Sequence, residues 1–211
     1  MKVVKLIVLL SISVLTACAT KPYDYTALKQ SKPTSILVIP PNNQTVEVNA
    51  PYVFLSTITQ PLAEKGYYVY PVSVIDNFMK ENGLPTPAEM NAVPLDKLTE
   101  IIGPDAVLYT EILEWGQKYQ LLSSKSVVSA KMKLVDAKTG VLLWNGFAYA
   151  EQASGDGGGG IAGVLLSAVV EQVVGSIVDR TPQLSRLANN NAIDNRYRGL
   201  LDGPYLPKSA E

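Results

Sequence analysis

The chain has 211 residues, of which 47% are hydrophobic and 18% are charged, and its 18 basic and 19 acidic side chains nearly balance. That length fits one domain with tails, and the charge balance lacks the basic surface expected of a nucleic-acid-binding protein. The chain has one cysteine and no histidine, which excludes Ser-His-Asp and Cys-His catalysis, imidazole metal ligands and an internal disulfide.

Residues 1–17 have the pattern of an export signal peptide. Two lysines precede an apolar stretch that is shorter than the ~20 residues a membrane-spanning helix needs. The stretch ends in Leu15, Thr16 and Ala17, which together with Cys18 are typical of a bacterial lipobox. We therefore expect Cys18 to begin the mature chain and to carry diacylglycerol and palmitate, with no other cofactor and no metal. The alternative is a spare thiol behind an ordinary signal peptide.

The residue after Cys18 bears on where the lipidated chain resides. More than one acyl chain gives stable membrane anchoring. By resemblance to the sorting of Gram-negative lipoproteins, Ala19 in place of an aspartate predicts the outer membrane. The sequence leaves the leaflet open, and we favour the periplasmic face.

The first half of the mature chain alternates between strand and helix patterns. Residues 18–34 are polar, contain two prolines, and predict a tether. An α/β domain is expected over residues 35–180, beginning with a buried apolar strand at residues 35–39. Pro51 then fits the first turn of an amphipathic helix that Gly66 ends. A second strand follows at residues 67–72.

The second half changes from a helical period to a strand period. Short helices are predicted around residues 74–79 and 95–102, with a proline-rich loop between them. Three strands follow, at residues 106–113, 128–135 and 141–150, and the last two form a hairpin through a tight turn that ends at Gly140. The sequence thus predicts an α/β fold with a mixed sheet of about five strands, a C-terminal antiparallel hairpin, helices packed on the sheet, and a long apolar C-terminal helix.

A glycine-rich tract at residues 155–160 leads into that helix. The tract matches the dinucleotide-binding pattern G-x-G-x-x-G, but no strand pattern follows it to complete a βαβ unit, so a linker is the favoured interpretation. Residues 161–178 are apolar on nearly every side, so this helix must be buried on nearly every side. Either the domain core covers it, or a partner does. A membrane span is disfavoured because Glu171 would lie near its centre.

We expect that helix to be the contact surface of a homo-oligomer, with a dimer as the first hypothesis. The residues proposed for the contact are Leu165, Leu166, Val169, Val170, Val173, Val174 and Ile177. We expect residues 181–211 to form an irregular tail. A long helix is disfavoured there by Asn189, Asn190 and Asn191 and by Gly203 and Pro204.

Catalytic candidates are few. We expect Asp96 and Glu100 to form a solvent-exposed pair on a short helix. We expect Glu111 and Glu114 to lie on opposite faces of a strand end. Neither pair has the substrate-binding aromatic cluster expected of a glycosidase. Lys125 lies among serines at the start of a strand, with no sign of the pocket that a Ser-Lys nucleophile requires. We therefore expect no enzymatic activity.

Several motifs together resemble a known family. They are the lipobox, Lys21-Pro22-Tyr23-Asp24-Tyr25-Thr26, Ser35-Ile36-Leu37-Val38-Ile39-Pro40-Pro41, Pro61-Leu62-Ala63-Glu64-Lys65-Gly66-Tyr67-Tyr68-Val69, Ala92-Val93-Pro94, Leu134-Val135-Asp136 with Gly140 and Leu143-Trp144, and Leu166-Ser167-Ala168-Val169-Val170. In this order they resemble a family of proteobacterial lipoproteins known from a Neisseria surface-antigen candidate.

The resemblance implies a domain similar to the N-terminal domain of TolB and kinship with CsgG-type secretion lipoproteins. It implies no catalytic residues. The chain departs from the CsgG pattern because its strands are joined by short turns, without the long amphipathic hairpins of a transmembrane barrel. We therefore expect no pore.

Three functional hypotheses follow. The first is a non-enzymatic outer-membrane lipoprotein that oligomerises and serves an envelope transport or secretion assembly, with other lipoproteins of a CsgG-type system as further partners. The second is a periplasmic ligand- or glycan-binding lipoprotein, which would require a concave site lined by tyrosines. The third, an enzyme using carboxylates, is the weakest because histidine is absent.

Overall fold

A computed structural model describes residues 22–119, 124–154 and 179–206. The signal peptide at residues 1–17, the glycine-rich tract at 155–160 and the apolar helix at 161–178 lie outside the described residues.

The described residues form six helices and six strands. The helices are α1 (Thr26–Ser31), α2 (Ala50–Glu64), α3 (Val72–Glu81), α4 (Pro87–Asn91), α5 (Leu95–Ile101) and α6 (Thr181–Ile193). The strands are β1 (Ser35–Val38), β2 (Asn42–Asn43), β3 (Tyr68–Val69), β4 (Ala106–Tyr119), β5 (Ser124–Asp136) and β6 (Leu142–Ser154).

All six strands belong to one mixed sheet. Its order is β3-β1-β4-β5-β6, and the short β2 pairs with β4 beyond the end of β1. Strand β1 is parallel to both β3 and β4, whereas β4, β5 and β6 are antiparallel. The predicted mixed sheet with an antiparallel hairpin is confirmed, and β2 is the strand that the sequence pattern did not indicate.

Helices cover both faces of the parallel part of the sheet. On the first face, α2 and α6 pack against a core that includes Ile36, Val38 and Trp144. On the second face, α3, α4 and α5 pack around Leu37 and Ile39. Burial of β1 on both faces explains why its sequence is a continuous apolar run and does not alternate with polar residues.

Two segments that the sequence analysis treats as irregular are helices of the domain. Within the predicted tether at residues 18–34, α1 inserts Leu28 into the first-face core. Its six residues are too few to give a helical period. The predicted irregular tail at residues 181–211 begins with the thirteen-residue helix α6. The predictions of irregular structure are wrong at Thr26–Ser31 and at Thr181–Ile193, which are helices that pack on the sheet.

The asparagines of α6 show why the prediction failed. Asparagine is a weak helix former, at a cost of about 0.7 kcal/mol per residue relative to alanine. Asn189, however, is fully buried, and its side-chain amide donates to Thr57 Oγ1 on α2 at 3.0 Å. Ser185 and Thr57 hydroxyls are also in contact at 2.7 Å. Packing of α6 against α2 therefore outweighs the local preference.

Candidate functional site

The lipidation site and the contact helix predicted from sequence both lie outside the described residues. Cys18 and the lipobox residues Leu15, Thr16 and Ala17 lie outside the described residues. The same holds for the proposed contact residues Leu165, Leu166, Val169, Val170, Val173, Val174 and Ile177.

The carboxylate pairs give no catalytic constellation. Asp96 and Glu100 are exposed as predicted, and Glu100 pairs with Lys97 at 2.7 Å. Glu111 and Glu114 were expected on opposite faces, but a β-bulge between Ile112 and Glu114 brings both onto the second face. Glu111 accepts a hydrogen bond from the amide of Gln44. Within the described residues, no cluster of His, Cys, Asp or Glu is suited to a metal ion.

An exposed aromatic surface lies on the second face of β6. Phe147 and Tyr149 project there side by side, because the intervening Ala148 is buried in the opposite core. They are 49% and 39% exposed. Their ring centroids are 6.2 Å apart and the planes differ by 11°. Two adjacent exposed aromatic rings form an apolar patch of the kind that marks contact sites.

Charged groups border this aromatic pair. Lys125 on β5 pairs with Glu151 on β6 at 2.7 Å, and the Tyr149 hydroxyl donates to the same carboxylate at 2.5 Å. These bonds lower the pKa of Glu151, and the bond to Glu151 raises that of Tyr149. Lys131 lies opposite Phe147 on the neighbouring strand. An apolar centre with a charged rim is the usual layout of a protein–protein contact surface.

The outer edge of β6 is partly covered by the N-terminal segment. The Asn145 N–H donates to the Tyr23 hydroxyl at 2.9 Å, and Arg198 Nη2 donates to Asn145 Oδ1 at 3.0 Å. The Asn145 N–H therefore points away from β5. The direction of the backbone N–H and C=O groups repeats every two residues along a strand. The backbone N–H and C=O groups of Phe147 and Tyr149 therefore also point outward, away from β5. An outward row of backbone groups on an edge strand is a template for pairing with another chain.

The opposite edge of the sheet holds a tyrosine-lined groove. Tyr68 on β3 is 51% exposed and meets Tyr70 edge to face, with centroids 5.3 Å apart. The groove between β3 and α2 has a volume of about 520 Å³. Tyr67, which also lines it, points its hydroxyl inward to the Leu201 carbonyl at 2.8 Å, and burial raises its pKa to about 12. Val69 faces the core under α2, whereas the side chains of Tyr68 and Tyr70 project to the second face, where Tyr70 packs against the core around Leu37 and Ile39.

A smaller hollow of about 350 Å³ lies beside the C-terminal segment, residues 194–206, and includes Lys29, Lys32 and Asp202 in its lining. The segment is fixed there because Lys65 pairs with Asp194 at 3.2 Å and with Asp202 at 3.3 Å. These contacts give the segment a structural role in closing the domain.

No helix in the described ranges is both long enough and apolar enough to cross a membrane.

Comparisons with known proteins give a consistent assignment. The chain matches the GNA1162-like lipoprotein family over residues 23–205. It is 42% identical over 200 residues to lipoprotein NMB1124/NMB1162 of Neisseria meningitidis serogroup B (strain ATCC BAA-335 / MC58), covering 93% of each chain. The crystal structure of lipoprotein GNA1162 from Neisseria meningitidis is similar, with a TM-score of 0.57 and 44% identity over 68% of this chain and 100% of that chain. A PelC dodecamer from Paraburkholderia phytofirmans gives a TM-score of 0.46 at 16% identity, over 81% of this chain and 93% of that chain.

Proposed function

The chain belongs to the GNA1162-like lipoprotein family, and we propose that it is a non-enzymatic scaffold of the bacterial envelope. In this proposal Cys18 carries diacylglycerol and palmitate that anchor the protein in the outer membrane, with the domain on the periplasmic side. The domain associates with further copies of itself and with other envelope lipoproteins in a transport or secretion assembly.

The observation that carries the scaffold proposal is the exposed aromatic surface of β6. Phe147 and Tyr149 are stacked and exposed, and the backbone groups of the same residues point outward along the strand edge. A second copy can therefore bind through aromatic packing and through backbone hydrogen bonds. Aromatic side chains at the centre of a contact surface contribute disproportionately to its binding energy.

Replacement of both aromatic residues tests this surface. We expect Phe147→Asp with Tyr149→Asp to convert the oligomer to a monomer, because two carboxylates would be buried in an apolar contact. Sedimentation equilibrium of the full chain in detergent measures the change. Tyr197→Asp is the matched control, since Tyr197 is 80% exposed and lies on the C-terminal segment. A monomeric wild-type chain, or an oligomer that survives both changes, would contradict the proposal.

The sequence analysis predicts a different interface, through the helix at residues 161–178, and this interface leads to a different expected result. If that helix forms the interface, Val169→Asp with Val173→Asp dissociates the oligomer while the β6 double variant leaves it intact. Measuring both variants in parallel separates the two surfaces.

Lipid anchoring has its own test. We expect Cys18→Ser to abolish labelling by radioactive palmitate and to release the protein from the outer-membrane fraction, because no acyl acceptor remains. Ala19→Asp is expected to keep the label but to retain the protein in the inner membrane. Continued labelling of Cys18→Ser would contradict the lipidation assignment.

A further inference from the structure

A turn at residues 195–199, the arginine turn, presents three consecutive exposed side chains, Arg196, Tyr197 and Arg198. Tyr197 is 80% exposed, which is more than any other aromatic side chain among the described residues. The contact surface on β6 makes no use of them. We propose that the arginine turn lies against the phosphate groups of the membrane that holds the lipid of Cys18, and that it thereby sets which end of the domain faces the bilayer. This inference rests on the lipidation of Cys18 in the proposed function.

The backbone of the arginine turn is fixed to the domain, whereas its three side chains remain exposed. Asn195 Oδ1 accepts hydrogen bonds from the N–H groups of Tyr197 at 3.0 Å and Arg198 at 3.1 Å. The Tyr25 hydroxyl donates to the Gly199 carbonyl at 2.5 Å, and Gly199 is buried. A turn whose backbone is already ordered loses little conformational entropy when it binds a surface.

The arginine turn lies at the end of the domain nearest to the expected lipid. The Arg198 guanidinium carbon is 5.7 Å from the centroid of the Tyr23 ring. Tyr23 follows Cys18 by five residues, which span at most about 18 Å when fully extended. A tether of this length keeps the arginine turn close to the bilayer surface. A contact too weak to hold a free protein there is then formed intramolecularly, at a high effective concentration.

The net charge of the chain favours contact through this turn. Loss of Lys2 and Lys5 with the signal peptide leaves 16 basic and 19 acidic side chains, so an anionic lipid surface repels the mature chain as a whole. Arginine side chains bind phosphate through two parallel hydrogen bonds, and basic residues beside a membrane are attracted by anionic headgroups. The neighbouring Asp194 is paired with Lys65 at 3.2 Å, which offsets its charge.

Tyr197 suits the layer between the headgroups and the acyl chains. Tyrosine is enriched at membrane–water interfaces because its ring is apolar and its hydroxyl remains hydrated. A protein partner would instead need an apolar contact area around the ring, but both sequence neighbours of Tyr197 are arginines. Together with the short tether, this composition favours a lipid surface over a protein as the partner.

Val46 provides a control position at the other end of the sheet. It is 93% exposed, and the side chain of its neighbour Glu47 packs against Gly116 on β4. Asn145, beside the arginine turn, is level with Tyr109 of β4 through the pairing of both strands with β5. Gly116 lies seven residues beyond Tyr109 along β4, a distance of about 23 Å at the usual rise of a strand.

Fluorophore quenching in vesicles tests the orientation. The chain has one cysteine, and acylation blocks its thiol, so Tyr197→Cys and Val46→Cys each place one reactive thiol for a fluorophore on the lipidated chain. The vesicles contain phosphatidylethanolamine, phosphatidylglycerol and a lipid with a nitroxide quencher on its headgroup. We expect quenching to be at least about threefold stronger at position 197 than at position 46, because the arginines hold only that end of the domain on the surface.

Substitution of Arg196 tests the contribution of charge. In the Tyr197→Cys background, Arg196→Glu should reduce the quenching to within about twofold of that at position 46, whereas Arg196→Lys should preserve most of it. The first change places a carboxylate against anionic lipid, and the second keeps the positive charge.

Equal quenching at the two positions, or undiminished quenching in Arg196→Glu, would overturn the membrane contact of the arginine turn. Flotation with the vesicles measures anchoring separately. A chain that does not float with them contradicts the lipidation of Cys18 and this proposal with it, whereas a chain that floats but is quenched equally at both positions contradicts this proposal alone. The oligomeric state in detergent should be the same in all these variants, so the result is independent of the contact surface on β6.

Discussion

Trp144→Ala is expected to lower the free energy of unfolding by about 3–5 kcal/mol, the range for removing a large aromatic side chain from a core. Trp144 is fully buried on the first face of β6, between the sheet and α6. Its indole N–H donates to the Arg198 carbonyl at 2.8 Å, so the variant loses both packing and a link to the C-terminal segment. Urea denaturation followed by circular dichroism measures the loss.

A neighbouring glycine sharpens this prediction. A Cβ atom on Gly146 would lie 2.2 Å from the indole of Trp144, so Gly146→Ala should destabilise the wild type by about 1–3 kcal/mol through overpacking. In the Trp144→Ala background the same change should cost much less, because the ring is gone. Phe147→Ala, on the same strand but half-exposed, is the control and should cost far less than Trp144→Ala. A loss below about 1 kcal/mol for Trp144→Ala would contradict the packing described here.

The hairpin of β5 and β6 was predictable because its signals agree. Buried and exposed residues alternate with a period of two over residues 130–134 and 147–150, and Gly140 has the positive φ of 72° that the turn requires. The same alternation places Phe147 and Tyr149 on the face opposite to Trp144. The exposed aromatic pair was therefore implicit in the sequence, but the alternation alone does not tell which outward-facing residues remain exposed in the fold.

Other features depend on tertiary contacts that a local pattern does not reveal. The sequence pattern predicts a proline-rich loop where helix α4 forms, although Thr86 and Glu89 form a capping box that indicates a helix start. The strand predicted at residues 67–72 reduces to Tyr68–Val69, because β1 offers only a short partner and Pro71 precedes α3. The bulge beside Glu114 reverses the side-chain alternation within β4, and no residue type in the sequence marks it.

Replacement of Asp105 should produce the second large loss of stability. Its Oδ2 accepts hydrogen bonds from the Thr34 N–H at 3.0 Å and hydroxyl at 2.5 Å, and from the Ser35 N–H and hydroxyl, both at 3.0 Å. These bonds tie the start of β1 to the turn before β4. We expect Asp105→Asn to cost about 1–3 kcal/mol at pH 7, since a charged acceptor is lost from a partly exposed site.

The unfolding free energy lost in Asp105→Asn should decrease as the pH falls. Burial alone would raise the pKa of Asp105, but the hydrogen bonds from Thr34 and Ser35 outweigh it and hold the pKa below the ordinary value of 3.8. The unfolded chain therefore takes up a proton at a higher pH than the folded chain does. The stabilisation is fully present above pH 3.8 and is lost as the pH falls through the lower pKa of the folded state.

The difference in unfolding free energy between wild type and Asp105→Asn should accordingly be constant from pH 7 to about pH 5 and should shrink in stronger acid. Urea titrations at a series of pH values measure it. Glu81→Gln, which removes an exposed carboxylate at the end of α3, should show a difference near zero throughout. A difference that grows as the pH falls would mean that the pKa of Asp105 is raised on folding, and that burial, not the bonds from Thr34 and Ser35, dominates at this junction.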